Sequence, residues 1–377
     1  MRWGIYVHIP FCRRKCFYCD FPSYTGREGV MNAYINALCR EISSQGSLYC
    51  GIWGSPATVY IGGGTPTVLP AVLMEKLLSS LEKIIADPKE FTIEMNPGTA
   101  EETYLEMLRS HGCQRLSIGV QSFQDELLRH IGRIHSGEEA LTAVELAKRA
   151  GFTNISLDLM YGLPGQSLRE LEKSVEIAAT LGIQHISIYG LQVEEGTVFA
   201  RQREMGKLDL PGDEVEEAMY DYMVDALPAL GYARYEISNF AIPGYESRHN
   251  LGYWQDVPYL GLGAAAHSYL KGKRWENVAD PLEYINCVEE GKSPSHEEGE
   301  RTEKIAMEEF AFLALRTVKG IDKSAFFRKF GCSLESVYGE VLRRLIAKGL
   351  LEEDGDAIFL TRLGMKYGNM VFAEFIL

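Results

Sequence analysis

The chain is short of positive charge, with 38 Lys and Arg against 52 Asp and Glu and a net charge of −14. That excess of acid excludes a general nucleic-acid surface or an anionic-membrane surface. It has no run of about 18 apolar residues, so no membrane span is expected. Its first ten residues, MRWGIYVHIP, hold neither a long apolar stretch nor a cleavage site, so a secretory leader is not expected and a cytoplasmic location is. No solenoid-type repeat is present. The cysteines number eight in 377 residues. With no export signal they are expected as reduced thiols and not as disulfides. Cys39, Cys50, Cys113, Cys287 and Cys332 share no spacing and read as small buried apolar residues. A composition of 46% hydrophobic and 24% charged residues suits a soluble globular protein with one large domain and a smaller one.

Residues 5–21 read IYVHIPFCRRKCFYCDF and place Cys12, Cys16 and Cys19 in a C-x3-C-x2-C spacing. A fourth cysteine is missing nearby. Structural zinc sites use four closed ligands, commonly in two pairs, so zinc would need a distant fourth. An iron–sulfur cubane also uses four thiolates. Held by three, it leaves one iron with an open coordination position, a place for an exogenous ligand.

The first two-thirds of the chain alternates strand-like and helix-like patterns. Strand-like runs occur at WGIYVHIP, ATVYIGGG, EFTIEMNPG, RLSIGVQSF, NISLDLMYGLP and HISIYGLQVE. Between them VMNAYINALCREI, LMEKLLSSLEKII, AEETYLEMLRSHG, EEALTAVELAKRAG and LRELEKSVEIAATLG repeat apolar residues at helical spacing. Such β-then-α units predict parallel strands with helices outside. Six units are too few for a closed eight-fold barrel, so an incomplete (β/α)6 barrel or a doubly wound sheet is predicted. Polar residues gather near the strand ends: Gly62, Gly63, Gly64 and Thr65; Glu94, Asn96 and Pro97; Gln121 and Ser122; Asp158. Carboxyl ends of parallel strands line the active site of α/β folds, so one pocket is expected. A tight turn alone would also use GGGTP.

Three units are expected: residues 1–240 as the barrel, 241–300 as a connecting region, and 301–377 as a C-terminal module. Residues 211–250 read as a helix and a strand, ARYEISNFA, and 290–300 as a polar linker. The tail reads as three helices, a hairpin and a last helix, the order of a winged helix. Residues 300–377 hold twelve basic and twelve acidic residues, which leaves no phosphate-binding face, so the tail is expected to be a packing or cover module.

Cys12-x3-Cys16-x2-Cys19, with Tyr18 before the last cysteine, resembles the radical S-adenosylmethionine (SAM) superfamily. The resemblance implies a 4Fe–4S cluster on the three cysteines, with SAM on the open iron, and the incomplete barrel. GGGTP resembles the superfamily's glycine-rich segment beside the methionine amino group. HIPFC-x3-C-x2-CDF, GGGTPT, IEMNPG, GVQSF and DLMYGLPGQ together resemble the oxygen-independent coproporphyrinogen III oxidase family, from about residue 5 to the C-terminus. This implies SAM contacts from Tyr6, Tyr18, Gly63, Gly64, Thr65, Glu94, Gln121, Arg133 and Asp158. Glu94 and Asp158 can accept from ribose hydroxyls or an ammonium, and Gln121 and Arg133 can donate to a carboxylate.

There are two departures from the oxidase pattern. The oxidases place a further cysteine two residues after the third, where this chain has Phe21, and they carry a long N-terminal extension. Both departures resemble a sister group of heme chaperones, which implies heme as a third cofactor. HNLGYW at 249–254 resembles that group's HNxxYW motif and offers His249 as an axial heme ligand, with Tyr253 and Trp254 near the macrocycle. His267 and His8 are its rivals, and His8 precedes the cluster loop closely enough to buttress it. His111, His130, His135, His185 and His296 receive no role. The resemblance implies a carrier that binds heme and passes it to apoproteins, respiratory ones among the candidates. The competing functions are radical decarboxylation of coproporphyrinogen III, radical heme degradation, and a zinc-bound interaction module.

Overall fold

The computed structural model describes residues 2–376. Six parallel strands lie in sequential order: β1 (Gly4–Ile9), β2 (Thr58–Gly63), β3 (Glu90–Met95), β4 (Arg115–Gln121), β5 (Asn154–Tyr161) and β6 (His185–Gly190). Each alternates an apolar face with a polar one. Ile5, Val7, Val59, Ile61, Phe91, Ile93, Leu116, Ile118, Leu157 and Ile186 belong to one core with the apolar stripes of the helices. The opposite face carries Tyr60, Glu94, Ser117, Asp158 and Ser187 into a shared interior.

The helices sit where the periodicity placed them. Helix Gly137–Arg149 begins at a capping box, in which Ser136 Oγ accepts the Glu139 N–H and the Glu139 carboxylate accepts the Ser136 N–H. It buries Ala140, Ala143, Val144 and Ala147 on one face. The stretch predicted as a helix at 30–42 continues further, through a π segment Ile42–Gly46 into Ser47–Trp53.

The sheet stays open and grows at both edges. Past β6 comes β8 (Asn239–Ala241), antiparallel to it, and then β7 (Ala233–Arg234), antiparallel to β8. ARYEISNFA is therefore a tight hairpin and not one strand. The Glu236 carboxylate accepts from the Ser238 N–H and the Asn239 amide and bends the chain between them. Beyond β1, strand β9 (Tyr259–Leu262) is parallel, followed by β10 (His267–Leu270), β11 (Lys273–Asn277) and β12 (Ser295–Glu300), antiparallel. Residues 295–300 are thus an edge strand where a linker was expected. Backbone pairing at an edge needs no apolar run, so the polar sequence concealed it.

The tail folds around its own core of Ala311, Leu315, Phe326, Tyr338, Leu342, Ile358 and Phe375. Three helices, Glu303–Leu315, Lys323–Phe330 and Leu334–Ala347, precede the hairpin β14 (Leu351–Asp354) and β15 (Ala357–Leu360), and β13 (Ile321–Asp322) completes the small sheet. It docks on residues 235–256. The buried Arg301 pairs with Asp256 at 3.1 Å, and the Arg316 guanidinium lies 4.4 Å over the Trp254 ring. No helix among the described residues is long and apolar enough to cross a membrane.

Candidate functional site

The inner faces and carboxyl ends of the strands surround a cavity of about 410 Å³, open at its mouth. Most small-ligand sites occupy roughly 300–1,000 Å³. The loop after β1 brings Cys12, Tyr18, Cys16 and Cys19 to its wall. That loop is clamped to β2, because the Gly64 N–H donates to Ile9 O at 2.9 Å and the Thr65 N–H to Phe11 O at 2.8 Å. The glycines there are required by close approach. A Cβ at Gly64 would stand 2.6 Å from Phe11 O and 3.0 Å from Cys12 Sγ. One at Gly63, where φ is +112°, would stand 2.6 Å from the His8 ring.

The three thiols fit a multi-iron cluster. Among the described residues no set of three His, Cys, Asp or Glu side chains converges to hold a single metal ion. The thiols instead border a volume. Burial pushes the Cys12 and Cys19 thiols up, so metal ions bound there would supply the positive charge that makes them thiolates. Arg133 adds to it, with Nη1 3.7 Å from Cys16 Sγ and Nε buried without a partner. Its Nη2 donates to Asn96 Oδ1 at 2.7 Å, Asn96 Nδ2 donates to Thr65 Oγ1 at 2.8 Å, and Thr65 Oγ1 lies 3.6 Å from Cys12 Sγ. This short polar chain links two of the cysteines.

Beside the cysteines, Gly63, Gly64, Thr65, Glu94, Gln121, Arg133 and Asp158 all line the same cavity. Glu94 Oε1 accepts the Tyr60 hydroxyl at 2.7 Å, and Oε2 accepts the Gly63 N–H at 3.1 Å. Burial, and then the nearby Asp158, raise its carboxyl to about 7. Burial raises Asp158 too, against the Ser117 hydroxyl at 3.3 Å from both its oxygens. Gln121 adopts φ +65° where β4 bulges against β5, a strained backbone of the kind that collects at functional sites.

Tyr6 stands behind this wall. Its hydroxyl meets His8 Nδ1 at 2.9 Å, and His8 Nε2 meets Pro22 O at 2.9 Å. The carbonyl can only accept, so His8 carries its proton on Nε2 and Tyr6 donates to Nδ1. Burial holds His8 below its usual range. His8 therefore ties the cluster loop back to β1. His267 stands apart, half exposed beside Glu276.

His249 lies at the other end of the barrel. The helix Arg248–Trp254 closes the amino ends of the strands, and Asn250 on it reaches the cavity from below. His249 is buried, with Nδ1 2.9 Å from Thr58 Oγ1 and Nε2 2.9 Å from the Tyr253 hydroxyl. Burial, and then Arg115, depress it to about 3. Tyr253 packs edge-on against it at 5.0 Å, whereas Trp254 turns away beneath Arg316.

Three residues with no role in the sequence reading emerge here. Tyr60 joins His249 to Glu94, and Glu90 receives the first N–H groups of the plug helix. Arg115 lies buried on the cavity wall. The period-two pattern of β4, RLSIGVQ, would have aimed Arg115 inward with Ser117 and Gln121.

Residues 6–178 match the Radical SAM superfamily, and residues 302–367 match the HemN C-terminal domain. A Bacillus subtilis protein named heme chaperone HemW is 41% identical, with 98% of each chain covered. An Escherichia coli protein of the same name is 33% identical, covering 99% of this chain and 98% of that one. Among solved structures, Escherichia coli coproporphyrinogen III oxidase (HemN), described as a radical SAM enzyme, superposes with a TM-score of 0.87 at 25% identity, over 100% of this chain and 90% of that one.

Proposed function

Because the chain belongs to the radical SAM superfamily and, within it, to the family of the HemW heme chaperones, we propose that it binds heme and delivers it to acceptor apoproteins, respiratory ones among them. The observation that carries this reading is the full-length likeness to HemW proteins at up to 41% identity. Phe21, 63% exposed on the cavity rim, adds to it, since the oxidase pattern has a cysteine at that position.

In this reading Cys12, Cys16 and Cys19 hold a 4Fe–4S cluster whose open iron takes SAM. Bound there, the pair would supply one-electron chemistry at low potential. Gly63, Gly64 and Thr65 let the ligand approach the backbone, Glu94 and Asp158 accept from its hydroxyls or ammonium, and Gln121 and Arg133 donate to its carboxylate. Tyr18 meets the ligand from the cavity wall, whereas Tyr6, expected as a further contact, stands behind that wall and backs the loop that carries the thiols through His8. His249, whose imidazole burial keeps neutral, would hold the heme iron through Nε2, the nitrogen that meets the Tyr253 hydroxyl in the absence of heme. Work inside the cytoplasm follows from the same reading.

The test is a hemin titration of the anaerobically reconstituted protein, followed by absorbance, beside His249→Ala. A saturable Soret shift that weakens in the variant is expected, and identical curves would remove His249 from the site. A second reading, oxidative decarboxylation of coproporphyrinogen III, draws on the TM-score of 0.87 to HemN. Anaerobic turnover of that substrate with a low-potential reductant would establish it in place of the first.

A further inference from the structure

The cavity holds a cation that none of the roles above uses. Arg115 opens β4 and is 2% exposed. No described residue forms a hydrogen bond or ion pair with its guanidinium, and its Nε is buried without a partner. Buried charges are ordinarily paired, because an unpaired one forfeits its hydration for nothing. A row of unmet groups runs through the same level of the sheet. Thr92, Arg115 and Asn154 are register partners on β3, β4 and β5, and Thr92 Oγ1 and Asn154 Oδ1 are also buried without partners. Such groups are satisfied by water or by a ligand.

The nearby carboxylates, Glu94 and Asp158, feel the charge of Arg115 but form no direct ion pair with it. Glu94 spends its oxygens on Tyr60 and Gly63, and Asp158 accepts from Ser117. Burial holds both above their ordinary values although Arg115 opposes this. The wall of the same cavity carries Ser117, Asp158 and Ser187 beside Met160 and Tyr189, with Phe21 at its rim. A mixed wall with an unpaired guanidinium suits a ligand that joins an apolar body to a carboxylate at its edge.

We propose that Arg115 anchors a propionate carboxylate of the porphyrin taken into this cavity, which Asn250 of the plug helix also lines. A guanidinium offers two parallel N–H donors that match a carboxylate. The proposal deepens the heme reading and rests on it. It makes Arg115 a specificity residue, one that separates porphyrins with free propionates from those without.

The experiment titrates hemin and hemin dimethyl ester, whose propionates are blocked, into the anaerobically reconstituted full chain as wild type, Arg115→Met and Arg115→Lys. Wild type is expected to bind hemin at least about tenfold more tightly than the ester, as a charge-assisted bond predicts. Arg115→Met should weaken hemin to the level of the ester and leave the ester unchanged, and Arg115→Lys should recover part of the difference. A structural role would instead weaken both ligands alike, and that result overturns the proposal. So does equal affinity of wild type for hemin and ester, which needs no variant to fold. Loss of SAM binding in Arg115→Met with hemin unaffected would overturn it as well, assigning the cation to SAM. Absence of any saturable hemin binding by wild type overturns the heme reading itself, and this assignment with it.

Discussion

His249 and Tyr60 lie face to face, with ring centroids 5.1 Å apart and planes at 27°. The Tyr60 hydroxyl points the other way, to Glu94, and Glu94 holds the Gly63 N–H. One tyrosine therefore connects the motif histidine at the floor, through Glu94, to the glycine segment at the mouth. Tyr60→Phe keeps the stack and deletes the donor. The Tyr60 bond lowers the Glu94 carboxyl, so its loss moves Glu94 further above about 7. We expect SAM affinity at pH 7 to fall by about tenfold and the midpoint of its pH dependence to rise. Equilibrium dialysis from pH 6 to 9 measures both, and a profile superimposable on wild type would refute the link.

The same histidine shapes acid stability. His249 is held at about 3 by burial, with Arg115 adding to it, while an unfolded histidine titrates near 6.5. As pH falls through 6.5, the unfolded chain takes up a proton that the folded chain refuses. The stabilisation is thus complete above about 6.5 and is lost progressively toward about 3. Between pH 7 and pH 5 the cluster-free wild type should lose about 2 kcal/mol more than His249→Gln. Urea midpoints at the two pH values decide it, and equal losses would place the imidazole in contact with water.

Much of the scaffold is legible in the sequence because its two periodicities are clean. β1 through β6 fall inside the six stretches that alternate apolar and polar residues, and the helices between them carry their apolar stripes. What escapes is whatever long-range pairing decides. β12 has no apolar face to announce it. His249 finds Thr58 across 191 residues, and Glu90 finds the His249 N–H across 159. The cavity residues near strand ends are legible because the carboxyl-end rule points to them. Arg115 opens its strand, and in sequence it resembles any polar residue at a strand start. Its isolation becomes visible only once neighbouring strands supply no partner.

Glu90 makes a stability prediction of its own. It is 4% exposed, and its carboxylate accepts the Arg248 N–H at 2.7 Å and the His249 N–H at 3.0 Å. A carboxylate at a helix start meets unpaired N–H groups and the positive end of the helix dipole. Glu90→Ala should destabilise the fold by about 2–4 kcal/mol, since buried donors lose a charged partner. Glu90→Gln retains one acceptor oxygen and should cost roughly half as much. Urea unfolding measures both, and an unmoved midpoint for the alanine variant would mean that the plug helix is held by its other contacts.

The cysteines can be separated by iron content alone. Cys12, Cys16 and Cys19 border the cavity, whereas Cys113 is a fully buried thiol 3.6 Å from Phe91 O. Anaerobic reconstitution should give wild type and Cys113→Ala about four irons per chain. Alanine at any of the other three leaves two thiolates for the cubane and should bring iron below about one per chain. Gly64→Ala tests the cradle without touching a ligand, because its Cβ would lie 3.0 Å from Cys12 Sγ and 2.6 Å from the fixed Phe11 carbonyl. The sulfur or the loop must then shift, so partial loss of iron is expected, with thermal unfolding as the control for folding. Full iron in Gly64→Ala would show that the loop yields at that point. Loss of iron in Cys113→Ala would show instead that cluster retention reports the packing of the core.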